Sequence, residues 1–322
     1  MKSFYHMRYR FYKPDQKEHT IFAISDIHFS DFTAENLNQI AQKIEHEKPA
    51  IITISGDLID SLESVDKTSE LARLKAWMER IAAVAPVCLC LGNHDFYRQK
   101  EGFKSGLSRD RGYVAERNDN FIKSISAIEN VHYLDDACYE DDDFYIFGLT
   151  LPPSYYHFDY TTEKQGNIFS PGSEDLNILL EKLDEADDFI TKLPKKKTKI
   201  ILVHSPVHLL NESVTNKVKE FDFILAGHMH NGVVPPLLNE IWRGHSGIIT
   251  PSKHLFKNHN TRSGLYSNQL IVLGAITTIQ KGAGAFRFLN HAFPTYYATI
   301  KTTHNEADSR KPDFAKKYEK WY

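Results

Sequence analysis

The stretch FILAGHMH, residues 223–230, places two histidines two positions apart directly behind an apolar run. A buried strand has no use for a histidine pair at its end, whereas neutral imidazole is the commonest protein ligand for metal ions. The small residues Ala226 and Gly227 allow the backbone to turn sharply between the apolar run and the pair. The stretch therefore predicts a strand that ends in a metal site, provided that other strands supply further ligands.

Other short apolar runs, rich in β-branched and aromatic residues, alternate with helical patterns along the chain. We interpret these runs as strands over 20–25, 51–55, 86–91, 144–149, 199–204, 221–226 and 270–276. Apolar residues recur at helical spacing from Leu37, Leu71, Phe121 and Leu176 onward. This alternation predicts an α/β protein with a mainly parallel or mixed core. From about residue 270 the strands lack intervening helices, which favours a second, more antiparallel sheet.

Five of the predicted strands end in carboxylate, amide or imidazole side chains. In chain order they deliver Asp26 and His28, Asp57 and Asp60, Asn93 and His94, His204, and finally His228 and His230. Ligands bind at the carboxyl ends of strands in open α/β sheets, so these side chains should converge. Each motif alone is typical of a surface turn or of a satisfied buried histidine. Five coincidences at strand ends, all in one order, are much rarer than one shared site.

The chemistry of this set points to metal ions that accept oxygen and nitrogen ligands. It contains Asp, Asn and His but no cysteine, which suits Mn²⁺, Fe or Zn²⁺ rather than a thiolate site. About seven candidate ligands are too many for one four-coordinate ion. Two divalent ions roughly 3.5–4 Å apart would use them all, with one carboxylate bridging. Such a pair clamps the attacking and leaving oxygens of a phosphoryl group and generates hydroxide at neutral pH.

The ordered motifs Asp-x-His, Gly-Asp-x-x-Asp, Gly-Asn-His-Asp, His and Gly-His-x-His resemble those of the calcineurin-like metallophosphoesterases over residues 20–230. The resemblance implies an α/β fold with a two-sheet β-sandwich flanked by helices, in four αββα layers. It also implies two divalent ions, for which Mn²⁺ is the first expectation and Fe or Zn²⁺ the alternatives. By the same resemblance Asp57 bridges the ions, while the remaining ligands are Asp26, His28 and His230 for one ion and Asn93, His204 and His228 for the other.

The resemblance further implies hydrolysis of a phosphomonoester or phosphodiester by a metal-bridging hydroxide that attacks phosphorus in line. His94 is then a general acid rather than a ligand, and Asp60 orients its ring. Proton donation by such a general acid typically accelerates a reaction by about 10²–10⁴. One departure concerns the branch of serine/threonine protein phosphatases, which has an arginine where this chain has Ser61. Basic residues that could supply the missing phosphate clamp are Arg98, Lys104, Arg109 and Arg111.

Two segments without periodicity, near 98–118 and 152–174, are interpreted as lid loops of a single domain over 1–302. A polar C-terminal tail over 303–322 follows. The basic and aromatic residues of 98–117 suit a nuclease or nucleotide phosphodiesterase, because they could track a phosphate backbone and stack bases. The aromatic residues of the second loop suit a lipid-linked substrate or cover the core. A non-catalytic metal-binding scaffold is the remaining alternative, although every position of the site is filled.

Composition bounds the partners and the compartment. The formal net charge of -3 gives the whole molecule no polyanion-binding character, so a nucleic-acid partner would need a local patch. We expect a phosphorylated small molecule, nucleotide or lipid as substrate and infer no protein partner. Cys88, Cys90 and Cys138 form no CxxC pair, which indicates free thiols in a reducing compartment.

The N-terminal sequence MKSFYHMRYRFYK lacks the apolar core of a signal peptide. No stretch approaches the roughly 18 apolar residues that a membrane-spanning helix needs. We therefore expect a cytoplasmic protein without a transmembrane segment. The stretch MRYRFYK at 7–13 is interpreted as an edge strand protected by basic residues, with contact to a membrane or to nucleic acid as the alternative.

Overall fold

A computed structural model defines the fold for a large part of the chain. It describes residues 4–13, 17–30, 33–60, 68–99, 113–115, 118–152, 155, 173–206, 212–233, 264–266, 269–277 and 295–304. The helices are α1 (Ala34–Glu47), α2 (Thr68–Ala82), the single turn α3 (Asn93–Phe96), α4 (Asp119–Ser126), α5 (Ser173–Ile190) and α6 (Glu212–Lys217). A 3₁₀ turn covers His230–Val233.

The strands follow in the same order along the chain. They are β1 (Phe4–Tyr12), β2 (Thr20–Ile24), β3 (Ile51–Ser55), β4 (Val87–Cys90), β5 (Tyr97–Gln99), β6 (Tyr113–Ala115) and β7 (Val131–Tyr133). The second half contributes β8 (Ala137–Glu140), β9 (Phe144–Leu149), β10 (Thr198–Val203), β11 (Phe223–Ala226), β12 (Gly264–Tyr266), β13 (Leu270–Val272) and β14 (Thr295–Thr303).

Twelve of the described strands form two mixed sheets of six strands each. Sheet 1 has the order β1-β14-β2-β3-β4-β7, and sheet 2 has the order β12-β13-β11-β10-β9-β8. Within sheet 1 the strands β2, β3, β4 and β7 run parallel, and β14 is antiparallel to β2. Within sheet 2 the strands β9, β10, β11 and β13 run parallel, and β8 and β12 are antiparallel at the edges.

Three apolar clusters hold four layers together. Side chains such as Ile21 of sheet 1 and Ile200 of sheet 2 meet in the cluster between the sheets. The outer face of sheet 1 packs against α1, α2 and α4, and the outer face of sheet 2 packs against α5 and α6. Burial of each large aliphatic side chain in these clusters stabilises the fold by about 1.5–3 kcal/mol. The predicted α/β fold, a two-sheet sandwich flanked by helices, is confirmed.

Helix α1 shows how the sequence pattern produces one of these layers. Leu37, Ile40, Ala41 and Ile44 recur at helical spacing, and all four are buried against sheet 1. The indole Nε1–H of Trp77 on α2 donates to the backbone carbonyl of Leu37 at 2.9 Å, so the two helices are joined by a buried hydrogen bond as well as by apolar contact.

The strands after residue 270 do not form the second, more antiparallel sheet that the sequence predicted, so that prediction is wrong. Strand β13 joins sheet 2 parallel to β11, and β14 returns to sheet 1 between β1 and β2. The reason is that β14 buries both of its faces. Tyr297 stacks on Phe22 beneath the helices, with ring centroids 5.2 Å apart, while Ala298 and Ile300 pack between the sheets. A strand that is buried on both faces is stable inside a sheet rather than at its edge.

The N-terminal stretch forms the edge strand that its sequence predicted. Strand β1 lies at the end of sheet 1, parallel to β14, with Arg8 and Arg10 exposed. Arg8 Nε–H donates to His6 Nδ1 at 3.2 Å, which leaves His6 Nε2–H to donate to Thr299 Oγ1 at 2.7 Å. These two bonds select the neutral imidazole. Burial, followed by the positive charges of Arg8, Lys43 and Lys301, lowers the pKa of His6 to about 4.

We expect this histidine to make folding sensitive to acid. Between pH 6.5 and about 4, His6 is protonated in the unfolded chain but neutral in the folded chain. The free energy of unfolding therefore falls as the pH drops from about 6.5 to 4. The variant His6→Gln should lose this part of the pH dependence in denaturant unfolding measured across that window. Thr299→Val is the control, because it removes the hydrogen bond but keeps the imidazole; it should lower stability and retain the pH step. An unchanged profile in His6→Gln would contradict the assignment.

Several expectations fall on residues outside the described part of the chain. Most of the predicted lid at 98–118 lies there, but its base forms the antiparallel hairpin β5–β6. Most of the predicted lid at 152–174 and of the predicted tail at 303–322 lies there too, although β14 includes Thr303. None of the helices in the described part of the chain combines the length and the apolar composition that a membrane-spanning segment requires.

The cysteines are free thiols. Cys88 and Cys90 are buried in β4, where burial raises the pKa of both thiols well above the usual range, and Cys138 is exposed on β8. The two buried residues act as small apolar side chains between the sheets.

Candidate metal centre

The polar ends of five strands meet at one edge of the sandwich because the backbone links the segments that follow them. The N–H of Asp26 donates to the carbonyl of Gly56 at 3.2 Å, and the N–H of His28 donates to the carbonyl of Asp57 at 3.0 Å. On the other sheet the N–H of Gly227 donates to the carbonyl of His204 at 2.8 Å. Parallel strands therefore present their C-terminal residues side by side.

Five of the converging residues have a left-handed backbone although none is glycine. The φ angles are 53° for Asp26, 44° for His28, 53° for Asp57, 69° for His228 and 47° for His230. A non-glycine residue at such an angle is uncommon and costs of order 1–3 kcal/mol unless its surroundings impose it. The concentration of five such residues at one place indicates that the fold maintains this backbone for the direction in which the side chains point.

The first group of side chains consists of Asp26, His28, Asp57 and His230, which are all buried and offer ligand atoms within 4.8 Å of one another. Nε2 of His28 lies 3.2 Å from Nε2 of His230, and Nε2 of His230 lies 3.3 Å from Oδ1 of Asp26. Ligand atoms about 2.1 Å from one ion are typically separated by roughly 3 Å, so these spacings suit a shared cation.

The second group consists of Asp57, His204 and His228, again buried, with Asn93 beside them. Nε2 of His204 lies 3.2 Å from Oδ1 of Asn93 and 3.2 Å from Oδ2 of Asp57. Burial alone would lower the pKa of His204, but the neighbouring Asp57 carboxylate outweighs it and raises the pKa to about 9. Burial keeps the pKa of His228 well below its usual range, so that ring is the neutral form that metals bind.

Asp57 belongs to both groups. Its Oδ2 lies 3.5 Å from Nε2 of His28 and 3.2 Å from Nε2 of His204, and within the described residues it has no well-aligned hydrogen-bond donor. Burial would raise the pKa of this carboxyl, but the imidazoles of His204 and His94 hold it well below its usual range. A buried carboxylate between two sets of ring nitrogens is stable when a positive charge lies beside it, either a protonated imidazole such as that of His204 or a bound cation.

Backbone donors orient the carboxylates and rings from behind. The N–H of His228 donates to both carboxylate oxygens of Asp26 at 3.1 and 3.0 Å, and the N–H of His94 donates to Oδ1 of Asp57 at 2.9 Å. Nδ1 of His204 lies 2.6 Å from the carbonyl of Ser55, which leaves Nε2 as the nitrogen facing the other ligands. Such outer contacts set the tautomer and the direction of metal-ligating side chains.

His94 and Asp60 lie next to these groups. Nδ1 of His94 is 2.6 Å from the backbone carbonyl of Asp60, and its ring lies edge-on to that of His28 with centroids 4.8 Å apart. The orientation of His94 that the sequence assigned to Asp60 thus involves the main chain of Asp60. Its carboxylate Oδ1 lies 3.8 Å from Nδ1 of His28.

Two residues to which the sequence assigned no role also hold the site: Asp95, the last residue of the Gly-Asn-His-Asp motif, and Asn231. Asp95 is buried and accepts backbone N–H bonds from Gly92 at 2.8 Å and from Ile59 at 3.1 Å. Its burial, with the nearby charge of Asp57, raises its pKa to about 7. Asn231, buried with a φ of 54°, donates through Nδ2 to the hydroxyl of Tyr296 on β14 at 2.7 Å. The signal for Asp95 was its position three residues after Gly92, the spacing at which a side chain reaches back to cap a short helix.

The residues present fit two divalent cations. The donors are carboxylate, amide and imidazole groups without a thiolate, and they are buried or half-buried at one edge of the sheets. The Asp57 oxygen Oδ2 lies between ring nitrogens of both groups, which is the position that a bridging ligand occupies. The structure does not describe the basic residues that the sequence offered as a phosphate clamp. These are Lys104, Arg109, Arg111 and the side chain of Arg98.

Glycine is required where strands approach within the centre. A Cβ on Gly227 would overlap Ser25 Oγ and lie 2.7 Å from Asp26 Oδ2. Ser25 is itself fixed by a 2.8 Å hydrogen bond to the carbonyl of Ser55, so the neighbours cannot move aside easily.

We therefore expect Gly227→Ala to destabilise the fold by about 1–3 kcal/mol and to weaken binding of the ion held by Asp26. The matched control is Gly148→Ala, whose Cβ would overlap the side chain of Leu134 away from the ligands. It should lower stability by a similar amount while binding Mn²⁺ as the wild type does, as measured by thermal unfolding and calorimetric titration. Equal metal affinity in both variants would contradict the role of Gly227.

The fold and the site together define a hydrolase of phosphoric esters built on the metallophosphoesterase sandwich. The family model of the calcineurin-like phosphoesterases matches residues 19–232. The chain belongs to this family.

Solved structures with a similar fold include a dimetal phosphatase from Danio rerio, with 14% identity and a TM-score of 0.42 over 81% of this chain and 88% of that chain. They also include a phosphopantetheinyl hydrolase from Mycobacterium tuberculosis, with 12% identity and a TM-score of 0.41 over 80% of this chain and 89% of that chain. A search of curated proteins found no match.

Proposed function

We propose that the protein hydrolyses a phosphomonoester or phosphodiester with two divalent ions, for which Mn²⁺ suits the mixed oxygen and nitrogen donors. The observation that carries this proposal is the position of Asp57 Oδ2 between His28 Nε2 at 3.5 Å and His204 Nε2 at 3.2 Å. One ion would be held by Asp26, His28, Asp57 and His230, and the other by Asp57, Asn93, His204 and His228.

When bound, such a pair of ions supplies a hydroxide nucleophile and neutralises charge on the phosphoryl oxygens. The chain itself supplies the remaining functions. Asp57 presents Oδ2 to both ligand groups, because its Oδ1 is fixed by the N–H of His94. His94 protonates the leaving oxygen through Nε2, because its Nδ1–H is directed at the carbonyl of Asp60.

The filled ligand set and the presence of His94 support an enzyme over a non-catalytic scaffold. The substrate classes that we propose are phosphorylated small molecules, nucleotides and lipid phosphoesters. Most of the basic loop that would favour nucleic acid lies outside the described residues. The preference for a monoester or a diester is therefore to be determined by comparing the hydrolysis rates of the two ester types. The exposed free thiol of Cys138 supports a reducing, cytoplasmic setting.

The test is a matched pair of rates. The protein is stripped of metal, reconstituted with Mn²⁺ and assayed on an aryl phosphate monoester and the corresponding diester, for the wild type and for His94→Ala. We expect metal-dependent turnover of at least one ester and a large loss in the variant. If protein with two bound ions hydrolyses neither ester, the proposed function is overturned for these substrates, and the hypothesis of a non-catalytic metal-binding scaffold is favoured.

A further inference from the structure

We propose that Asp95 is a positioning residue that joins the segment carrying Asp57 and Asp60 to the segment carrying Asn93 and His94, and thereby aims His94 at the leaving group. This inference rests on the proposed function, because it concerns the general acid of that reaction. Asp95 belongs to the single helical turn α3 and is buried, with 1% of its surface exposed.

The carboxylate of Asp95 accepts three backbone N–H bonds from two separate segments. Oδ2 accepts from Gly92 at 2.8 Å and from Leu58 at 3.3 Å, and Oδ1 accepts from Ile59 at 3.1 Å. The bond from Gly92 is a helix-capping contact, in which a side chain in the first turn accepts the N–H of the residue that precedes the helix. The bonds to Leu58 and Ile59 have no such local purpose, since those residues follow β3 and lie 37 and 36 positions away in sequence.

These two bonds fix the chain between two residues of the site. Leu58 and Ile59 are the only residues between Asp57 and Asp60, and the carbonyl of Asp60 lies 2.6 Å from His94 Nδ1. A continuous path therefore runs from Asp95 Oδ1 through Ile59 and the Asp60 carbonyl to the ring of His94. A shift of that carbonyl would change the direction of His94 Nε2 without removing a metal ligand, and misplacement of about 1 Å is sufficient to impair proton transfer.

Only a carboxylate satisfies all three donors. It presents acceptor oxygens on both sides, whereas an amide presents an NH₂ group on one side. In Asp95→Asn the rotamer that keeps the oxygen on Gly92 and Leu58 directs the NH₂ at the N–H of Ile59. Because two donors then face each other, the segment next to Asp60 should move while the bond to Gly92 is retained.

The test compares Asp95→Asn with the wild type, with His94→Ala and with the matched control Asp141→Asn. Asp141 also accepts two backbone N–H bonds through one oxygen, from Asp143 at 2.8 Å and from Phe144 at 2.7 Å, in the turn between β8 and β9. Each protein is titrated with Mn²⁺ by calorimetry and assayed on p-nitrophenyl and phenyl phosphate esters. Phenol is the poorer leaving group and therefore depends more on proton donation.

We expect Asp95→Asn to bind two Mn²⁺ ions and to lose about 10–100-fold in kcat on the phenyl ester, the usual range for an outer contact of a metal site. The loss on the p-nitrophenyl ester should be clearly smaller, so that the variant shares the steeper leaving-group dependence of His94→Ala. Asp141→Asn should leave both rates and the metal content unchanged. An equal loss on both esters in Asp95→Asn, or a loss proportional to missing metal, would show a merely structural role.

A second readout does not depend on turnover. In ¹⁵N-labelled protein loaded with diamagnetic Zn²⁺ in place of Mn²⁺, the Nδ1–H resonance of His94 should be protected from exchange in the wild type and in Asp141→Asn and should exchange rapidly in Asp95→Asn. If the wild type hydrolyses no ester, the proposed function fails, and the exchange result alone decides whether Asp95 positions His94. If Asp95→Asn does not fold, Asp95→Ser, which keeps one acceptor with less bulk, takes its place in both measurements.

Discussion

Asp57→Asn is expected to lose both metal ions and nearly all phosphoester hydrolysis. The Asp57 carboxylate belongs to both ligand groups, and its Oδ2 lies within 3.5 Å of ring nitrogens from His28 and His204. Asparagine keeps the shape of the side chain but removes the negative charge that compensates both ions. Loss of one partner of a buried charge pair costs roughly 3–5 kcal/mol, which is about 10²–10⁴ in affinity for each ion.

Elemental analysis after equilibration with Mn²⁺ measures this result directly. Asp26→Asn provides the graded comparison, because Asp26 belongs to the first ligand group alone. We expect two ions per chain in the wild type, one in Asp26→Asn and essentially none in Asp57→Asn at the same free Mn²⁺. A full complement of ions in Asp57→Asn would refute the bridging role, and loss of both ions in Asp26→Asn would show that the two positions fill only together.

Most of the fold is readable from the sequence because hydrophobic periodicity is a local property. The runs at 51–55 and 144–149 are strands over those residues, and the spacing from Leu37 and Leu71 marks two helices that pack on sheet 1. Sheet membership is different, since it depends on distant pairing. The return of β14 to sheet 1 is stabilised by contacts such as that between Tyr297 and Phe22, which lie far apart in sequence.

The site shows the same division between local and long-range information. The order of polar residues at strand ends was sufficient to select the side chains that the structure gathers, from Asp26 to His230. The backbone that gathers them has conformations that local propensity disfavours. His28 and His228 have left-handed φ angles, which residues other than glycine rarely adopt. Hydrogen bonds such as that from the N–H of His28 to the carbonyl of Asp57 hold this backbone, and they join segments that lie far apart in sequence.

His94→Ala separates binding from chemistry and is the second large effect. Within the described geometry His94 contributes its backbone N–H to Asp57 at 2.9 Å and its Nδ1 to the Asp60 carbonyl at 2.6 Å. The backbone contact survives the substitution, so both ions should stay bound. The ring is lost, and with it the proton for the leaving oxygen, which should lower kcat by about 10²–10⁴.

The leaving group identifies the role of the missing ring. A p-nitrophenolate departs with little help, whereas a phenolate needs its proton in the transition state, so the loss in His94→Ala should be much larger for the phenyl ester. His94→Asn serves as the companion variant, because its amide can donate a hydrogen bond but cannot release a proton at neutral pH. Full activity of either variant on the phenyl ester would exclude His94 as the general acid, and equal losses on both esters would assign it to substrate positioning.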